Sequence, residues 1–168
     1  MSLTKSQSAR LVREGVLNEV FCHASLGRFD VGALHQLTAR STTLGAKPLW
    51  CRFDAVRAET GDPDPMAFLT AQREIDADRV AELTGEDLDD QVIFVACPAG
   101  INGGEETHLL VDGIHRITAR HQRGYQDFVF WLVPWSIACY LRPLSSRAIS
   151  VPWGHKEVRD GQLVDRGT

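Results

Sequence analysis

The segment THLLVDGIHRITARHQRGYQDFVFWLVP, residues 107–134, constrains the fold of this chain more than any other. Two strand-like runs, THLLVDG and DFVFWLVP, flank a stretch in which Ile114, Ile117, Thr118 and His121 fall at i, i+3, i+4 and i+7. That spacing is one face of a helix from about His115 to Arg123. Gly124 stands where a C′ glycine ends such a helix. Upstream, QVIFVAC is a nearly continuous apolar run and reads as a buried strand. A hairpin across PAGINGGEE joins it to THLLVDG. The order strand, strand, helix, strand makes a compact α/β unit.

The rest of the chain reads around that unit. Ser6 to His23 has a helical pattern, with Leu11, Val12, Val16, Val20 and Phe21 roughly on one face. Asp30 is a candidate cap for a second helix carrying Val31, Leu34 and Leu37 on one side. LWCRFDAV reads as a strand, ETGDPDP as a turn cluster and Pro65 to Ala71 as a short helix. IDADRVAELTG is expected to be a helix capped by Asp76 and stopped by Gly85. In the tail, SIACYL fits a helical turn or a strand, and VPWGHKEVRDGQLV suits a hairpin around Asp160 and Gly161.

A chain of 168 residues with 43% hydrophobic and 24% charged residues is ordinary for one globular domain. The expected class is α/β (α+β), a small mixed sheet packed with helices. The expected division is an N-terminal helical extension over 1–45, a core over 46–135 and a C-terminal extension over 136–168 packed on that core. The net charge is −4, which gives no general support to DNA binding. Cys22, Cys51, Cys97 and Cys139 are scattered without a CxxC pair, so a zinc knuckle or dithiol site is not expected. Cys97 and Cys139 sit in apolar runs and read as buried thiols. The opening residues have no apolar signal core and no window has transmembrane length without charge. The expected setting is a reducing cytoplasm, with no membrane partner.

The chemistry concentrates at Asp112-Gly113-Ile114-His115-Arg116. A glycine at a strand-to-helix junction takes backbone angles closed to other residues and lets a ligand approach the chain. The helix behind it offers unpaired N–H groups and a positive dipole end, which attract phosphate or carboxylate. Arg116 adds a planar fork for phosphate oxygens. His115 is a donor, acid or base near neutral pH. Asp112 suits a cation, a proton or the orientation of Arg116. Arg120, four residues after Arg116, extends a short basic strip on a similar side. A purely structural turn, with Asp112 as cap and Arg116 paired to a carboxylate, satisfies the same residues.

From about Ile75 to Pro134 the sequence resembles the ParB/sulfiredoxin superfamily. IDADRVAEL and VIFVACP match the preceding helix and strand, Gly113, His115 and Arg116 match its turn, and Gly124 with FVFWLV matches the glycine and strand that follow. The resemblance implies a turn that binds nucleotide phosphates through Gly113, His115 and Arg116. It implies ATP or CTP as ligand and Mg²⁺ as companion ion. Sulfiredoxins carry a reactive Cys where Ile114 stands, so their activity is not expected. Partition proteins continue into a helix-turn-helix region, which the short remainder after Pro134 leaves no room for. Related free-serine kinases carry an Asp-Gly-x-His-Arg turn, the nearest to this one. If the protein is an enzyme, phosphoryl transfer or phosphodiester hydrolysis is the expected chemistry, because it rests on positioning and charge neutralisation, with Asp112 and His115 as catalytic candidates. A non-catalytic DNA- or protein-binding accessory module is the rival.

Three further features bear on the site. His108 and His115 are close enough in sequence to approach each other, with Asp112 as third partner for a metal. TGEDLDDQ reads as a solvated acidic loop that also places a base or Mg²⁺ ligand near the turn. GINGGEET reads as a hairpin tip or a lid, and Trp131, Trp135 and Trp153 as packing residues.

Overall fold

The computed structural model describes residues 7–142 apart from Ala24, Gln72, Asn102 and Gly103, and the backbone of 5–6, 149–151, 154–159 and 162–165. Helix α1 (Lys5–Arg13) leads into the hairpin β1 (Val20–His23) and β2 (Gly27–Asp30). Then follow α2 (Val31–Thr43), β3 (Leu49–Arg52), α3 (Phe53–Thr60), α4 (Ala67–Thr70), α5 (Ala77–Glu82) and α6 (Gly85–Leu88). The central unit is β4 (Val92–Cys97), β5 (Thr107–Asp112), α7 (Ile114–Gln122) and β6 (Asp127–Pro134). Helix α8 (Trp135–Tyr140) is followed by β7 (Ile149–Val151), β8 (Gly154–Arg159) and β9 (Gln162–Asp165). The class is α+β. Among the described residues no helix is long and apolar enough to cross a membrane.

The main sheet has the order β3-β6-β4-β5. Strand β4 runs parallel to β6 and antiparallel to β5, so the sheet is mixed. Alternation along β4 and β5 splits their apolar residues between two faces. Ile93, Val95, Cys97, Leu109 and Val111 face α1, α2 and α8 through Val12, Val31, Leu34 and Ala138. Val92, Phe94 and Leu110 face the other way, against Ile114 and Ile117 of α7, Phe53, Met66 and Leu69. Each fully buried aliphatic side chain here contributes about 1.5–3 kcal/mol. The order of β4, β5, α7 and β6 agrees with the sequence pattern.

Local signals explain most other elements. Asp30 caps α2 by accepting from the Ala33 N–H at 2.8 Å. Asp76 caps α5 by accepting from the Asp78 and Arg79 N–H groups. Gly124 takes φ 81° just past α7. The structure corrects other expectations. The expected helix from Ser6 to His23 ends at Arg13, and Val20–His23 is a strand. A positive-φ glycine at Gly15 turns the chain, and pairing with β2 stacks Phe21 on Phe29 at 6.3 Å between ring centroids. LWCRFDAV is strand only to Arg52, after which α3 begins. Gly85 does not terminate a helix; it opens α6. SIACYL is helical, as α8. Strands β8 and β9 pair antiparallel as expected, but their turn residues Asp160 and Gly161 lie outside the described residues, as does Trp153.

Candidate functional site

The site forms where β5 ends. The register between β4 and β5 shifts between Ile93 and Phe94, which leaves Val111 as a bulge. A bulge re-aims the next side chain. Asp112 thereby reaches His35 on α2 instead of continuing the alternation. Its Oδ2 accepts from His35 Nε2 at 2.8 Å and from Arg116 Nη2 at 2.8 Å. Arg116 Nη2 also donates to the Gln91 carbonyl at 2.7 Å. Burial alone would push the Asp112 carboxyl up, but Arg116 and His35 together hold it well below the usual carboxylate range. Asp112 is thus a permanent anion, and its contacts orient Arg116.

Gly113 makes the junction with φ 112°. An added Cβ would lie 2.8 Å from Val92 Cγ2 and 2.9 Å from Cγ1. The first N–H groups of α7 follow directly. Arg116 is 5% exposed, and its Nε is buried without a partner among the described residues.

His115 faces α5. Its Nε2 accepts from the Asp76 backbone N–H at 3.1 Å. Burial, then Arg79 and Arg73, pull the imidazole down to about 4. At neutral pH the ring is therefore uncharged and carries its proton on Nδ1. In the unfolded chain it takes up a proton near pH 6.5. Between about 4 and 6.5 the unfolded state binds more protons, so the contribution is complete above the upper value and falls away as pH drops through the window. Thermal melts are expected to show Tm falling more steeply across this window in the wild type than in His115→Gln. Parallel slopes would show that His115 does not carry this dependence.

A cleft of about 20 Å³, room for a single water, opens beside the turn. Asp112, Gly113, His115 and Arg116 line it together with Arg13, Arg79, Asp87 and Asp90. A wider hollow of about 420 Å³ adjoins it and shares Arg13, Asp87 and Asp90. Ala9 and Arg13 place α1 over the cleft. Arg13 is ion-paired to Asp90, and burial followed by repulsion from Arg116 lowers its pKa. Arg73 donates to the Val111 carbonyl at 2.7 Å and stacks over Phe21. Desolvation, then Asp112, raises the Glu19 carboxyl nearby.

Arg120 is placed elsewhere. It donates to the Asp127 carbonyl at 2.9 Å and the Leu88 carbonyl at 3.2 Å, and stacks on Tyr125. Arg123 likewise donates to the Val80 and Leu83 carbonyls. The two arginines pin α7 to its neighbours and do not line the cleft. His108 lines a separate cavity and does not join His115. Among the described residues no group of three His, Cys, Asp or Glu side chains is arranged to hold a metal. A Mg²⁺ here would rest on one carboxylate, Asp112 or a neighbour, with ligand phosphates and water supplying the rest.

His35, Arg13 and Arg79 did not stand out in the sequence. A histidine on the buried face of a capped helix, beside Val31 and Leu34, was the available signal for His35. Asp87 and Asp90 come from the acidic segment expected to lie near the turn, although Gly85–Leu88 is helical and Asp87 also accepts from the Thr84 N–H at 2.7 Å. The chain matches no protein-family model, no curated protein and no solved structure.

Proposed function

We propose that the cleft at Asp112–Arg116 binds a phosphate-bearing ligand, a nucleotide such as ATP or CTP, as the likeness to the ParB/sulfiredoxin superfamily implies. The observation that carries this reading is that Arg13, Arg79 and Arg116 all line the cleft at the N-terminus of α7, with Arg13 and Arg116 paired there to Asp90 and Asp112. Guanidinium forks and helix N-termini both favour phosphate oxygens. The cleft is too small for a nucleotide with α1 in place, so binding involves movement of α1 and exchange of Asp90 for a phosphate on Arg13. Phosphoryl transfer or phosphodiester hydrolysis is the chemistry that suits it, because both rest on positioning and charge neutralisation. In that chemistry Asp112 holds Arg116 and a Mg²⁺–phosphate unit, and neutral His115 offers Nδ1–H to a phosphate oxygen. The carboxyl of Asp112, held so low, is weak as a proton acceptor.

Calorimetry with ATP, CTP, ADP and GTP, in Mg²⁺ and in chelator, tests the reading. Saturable heat is expected with at least one nucleotide at up to millimolar concentration. No heat with any of them would contradict it. The accessory DNA-binding reading loses its basic strip, because Arg120 and Arg123 are engaged within the fold. Retention of DNA in a low-salt gel shift, abolished by changes at Arg116, would favour that alternative.

A further inference from the structure

A second cavity of about 460 Å³ lies between the main sheet and helices α3 and α4, and shares no lining residue with the phosphate cleft. Its volume falls in the range typical of small-molecule sites. Phe94, Phe128 and Phe130 form much of its wall and support one another, with ring centroids 5.4 Å apart for Phe94–Phe130 and 5.9 Å for Phe128–Phe130. The wall is therefore preformed. Phe68 from α4 closes one side and is 42% exposed, so its ring is available to an occupant. Glu59 and Glu106 supply the charge, and among the described residues no Lys or Arg lines the cavity. The Cys51 thiol at its edge is pushed up by burial and then by Glu59 and Asp54, in keeping with a negative local field. His108 adds a further ring.

Aromatic faces carry negative quadrupole potential, and carboxylates add formal charge of the same sign. A neutral occupant gains burial and at most a hydrogen bond to a carboxylate or hydroxyl of the lining, and an anion is repelled by both carboxylates. A cation with an apolar body satisfies rings and charges together. We propose that this cavity is a binding site for a small organic cation, an amine or quaternary ammonium on an aromatic or short aliphatic body.

The test compares three probes of one shape by calorimetry and by ¹H–¹⁵N shift mapping: 2-phenylethylammonium, 2-phenylethanol and 3-phenylpropanoate. The ammonium is expected to bind about tenfold more tightly than the alcohol, and the propanoate more weakly than either. In Glu59→Gln/Glu106→Gln the preference for the ammonium over the alcohol should shrink severalfold, to what the rings alone supply. Phe68→Ala should weaken both. Both variants alter exposed side chains, so the fold is retained. No saturable ammonium binding at millimolar concentration, equal binding of the propanoate, or an undiminished preference for the ammonium in the double variant would each overturn the proposal. Shifts that cluster at Gly113–Arg116 in place of Phe94 and Phe128 would overturn it too.

Discussion

Gly113→Ala is expected to lower Tm more than any other single methyl addition at the site. Two costs combine. The backbone at φ 112° lies where side chains are strained, at about 1–3 kcal/mol. The new methyl also has to sit 2.8 Å from Val92 Cγ2, and Val92 is 2% exposed in a packed strand. Overpacking of that kind costs about 1–3 kcal/mol. A total of about 2–6 kcal/mol corresponds to a Tm lower by roughly 5–20 °C for a domain of this size. Adding Val92→Ala removes the two Cγ contacts but leaves Val92 Cβ at 3.0 Å and the backbone strain, so the double variant should recover only part of the loss beyond what the Val92→Ala cavity costs. A Tm unchanged in Gly113→Ala would show that neither constraint operates at the turn.

Arg116→Ala is the second large effect. Its guanidinium holds the Asp112 carboxylate and the Gln91 carbonyl, and its side chain is 6% exposed. Removing one member of a buried pair leaves an uncompensated charge, at about 3–5 kcal/mol. The Asp112 side chain is 27% exposed, so water recovers part of that and about 2–4 kcal/mol is expected. Arg116→Ala/Asp112→Asn should be more stable than Arg116→Ala alone, because the orphaned charge is gone while His35 keeps an acceptor. Chemical denaturation of the four members of this cycle gives the coupling directly. Additive losses would mean that Arg116 does not stabilise the Asp112 anion.

The central unit was legible because each of its signals is local. Residues of β4 and β5 alternate between two apolar cores, α7 repeats its apolar face, and Asp30, Asp76 and Gly124 punctuate helix ends by short-range hydrogen bonds or backbone geometry. The misreading of Val16 to His23 as helix has a physical basis. A short apolar run fits either period, and only the partner strand Gly27–Asp30 decides between them. The site was legible in part. Asp112, Gly113, His115 and Arg116 share a turn, but His35 lies 77 residues from Asp112 and no spacing rule connects them. Arg13 and Arg79 come from two further helices that only the fold brings over the turn. Arg120 misled because an i, i+4 relation puts two Cα atoms on one side without fixing where long side chains end. Its guanidinium finds Asp127 and Leu88.

The claim that this turn is a phosphate site is tested most directly by following backbone amide shifts in ¹H–¹⁵N spectra while ATP is titrated in. Shifts concentrated at Gly113, Ile114, His115 and Arg116, with smaller ones along α1 as it moves, are the predicted result. In Arg79→Ala, which leaves the Asp112–Arg116 pair intact, the same shifts should need a higher ATP concentration. Saturation with the amides of residues 113–116 unmoved would contradict the account.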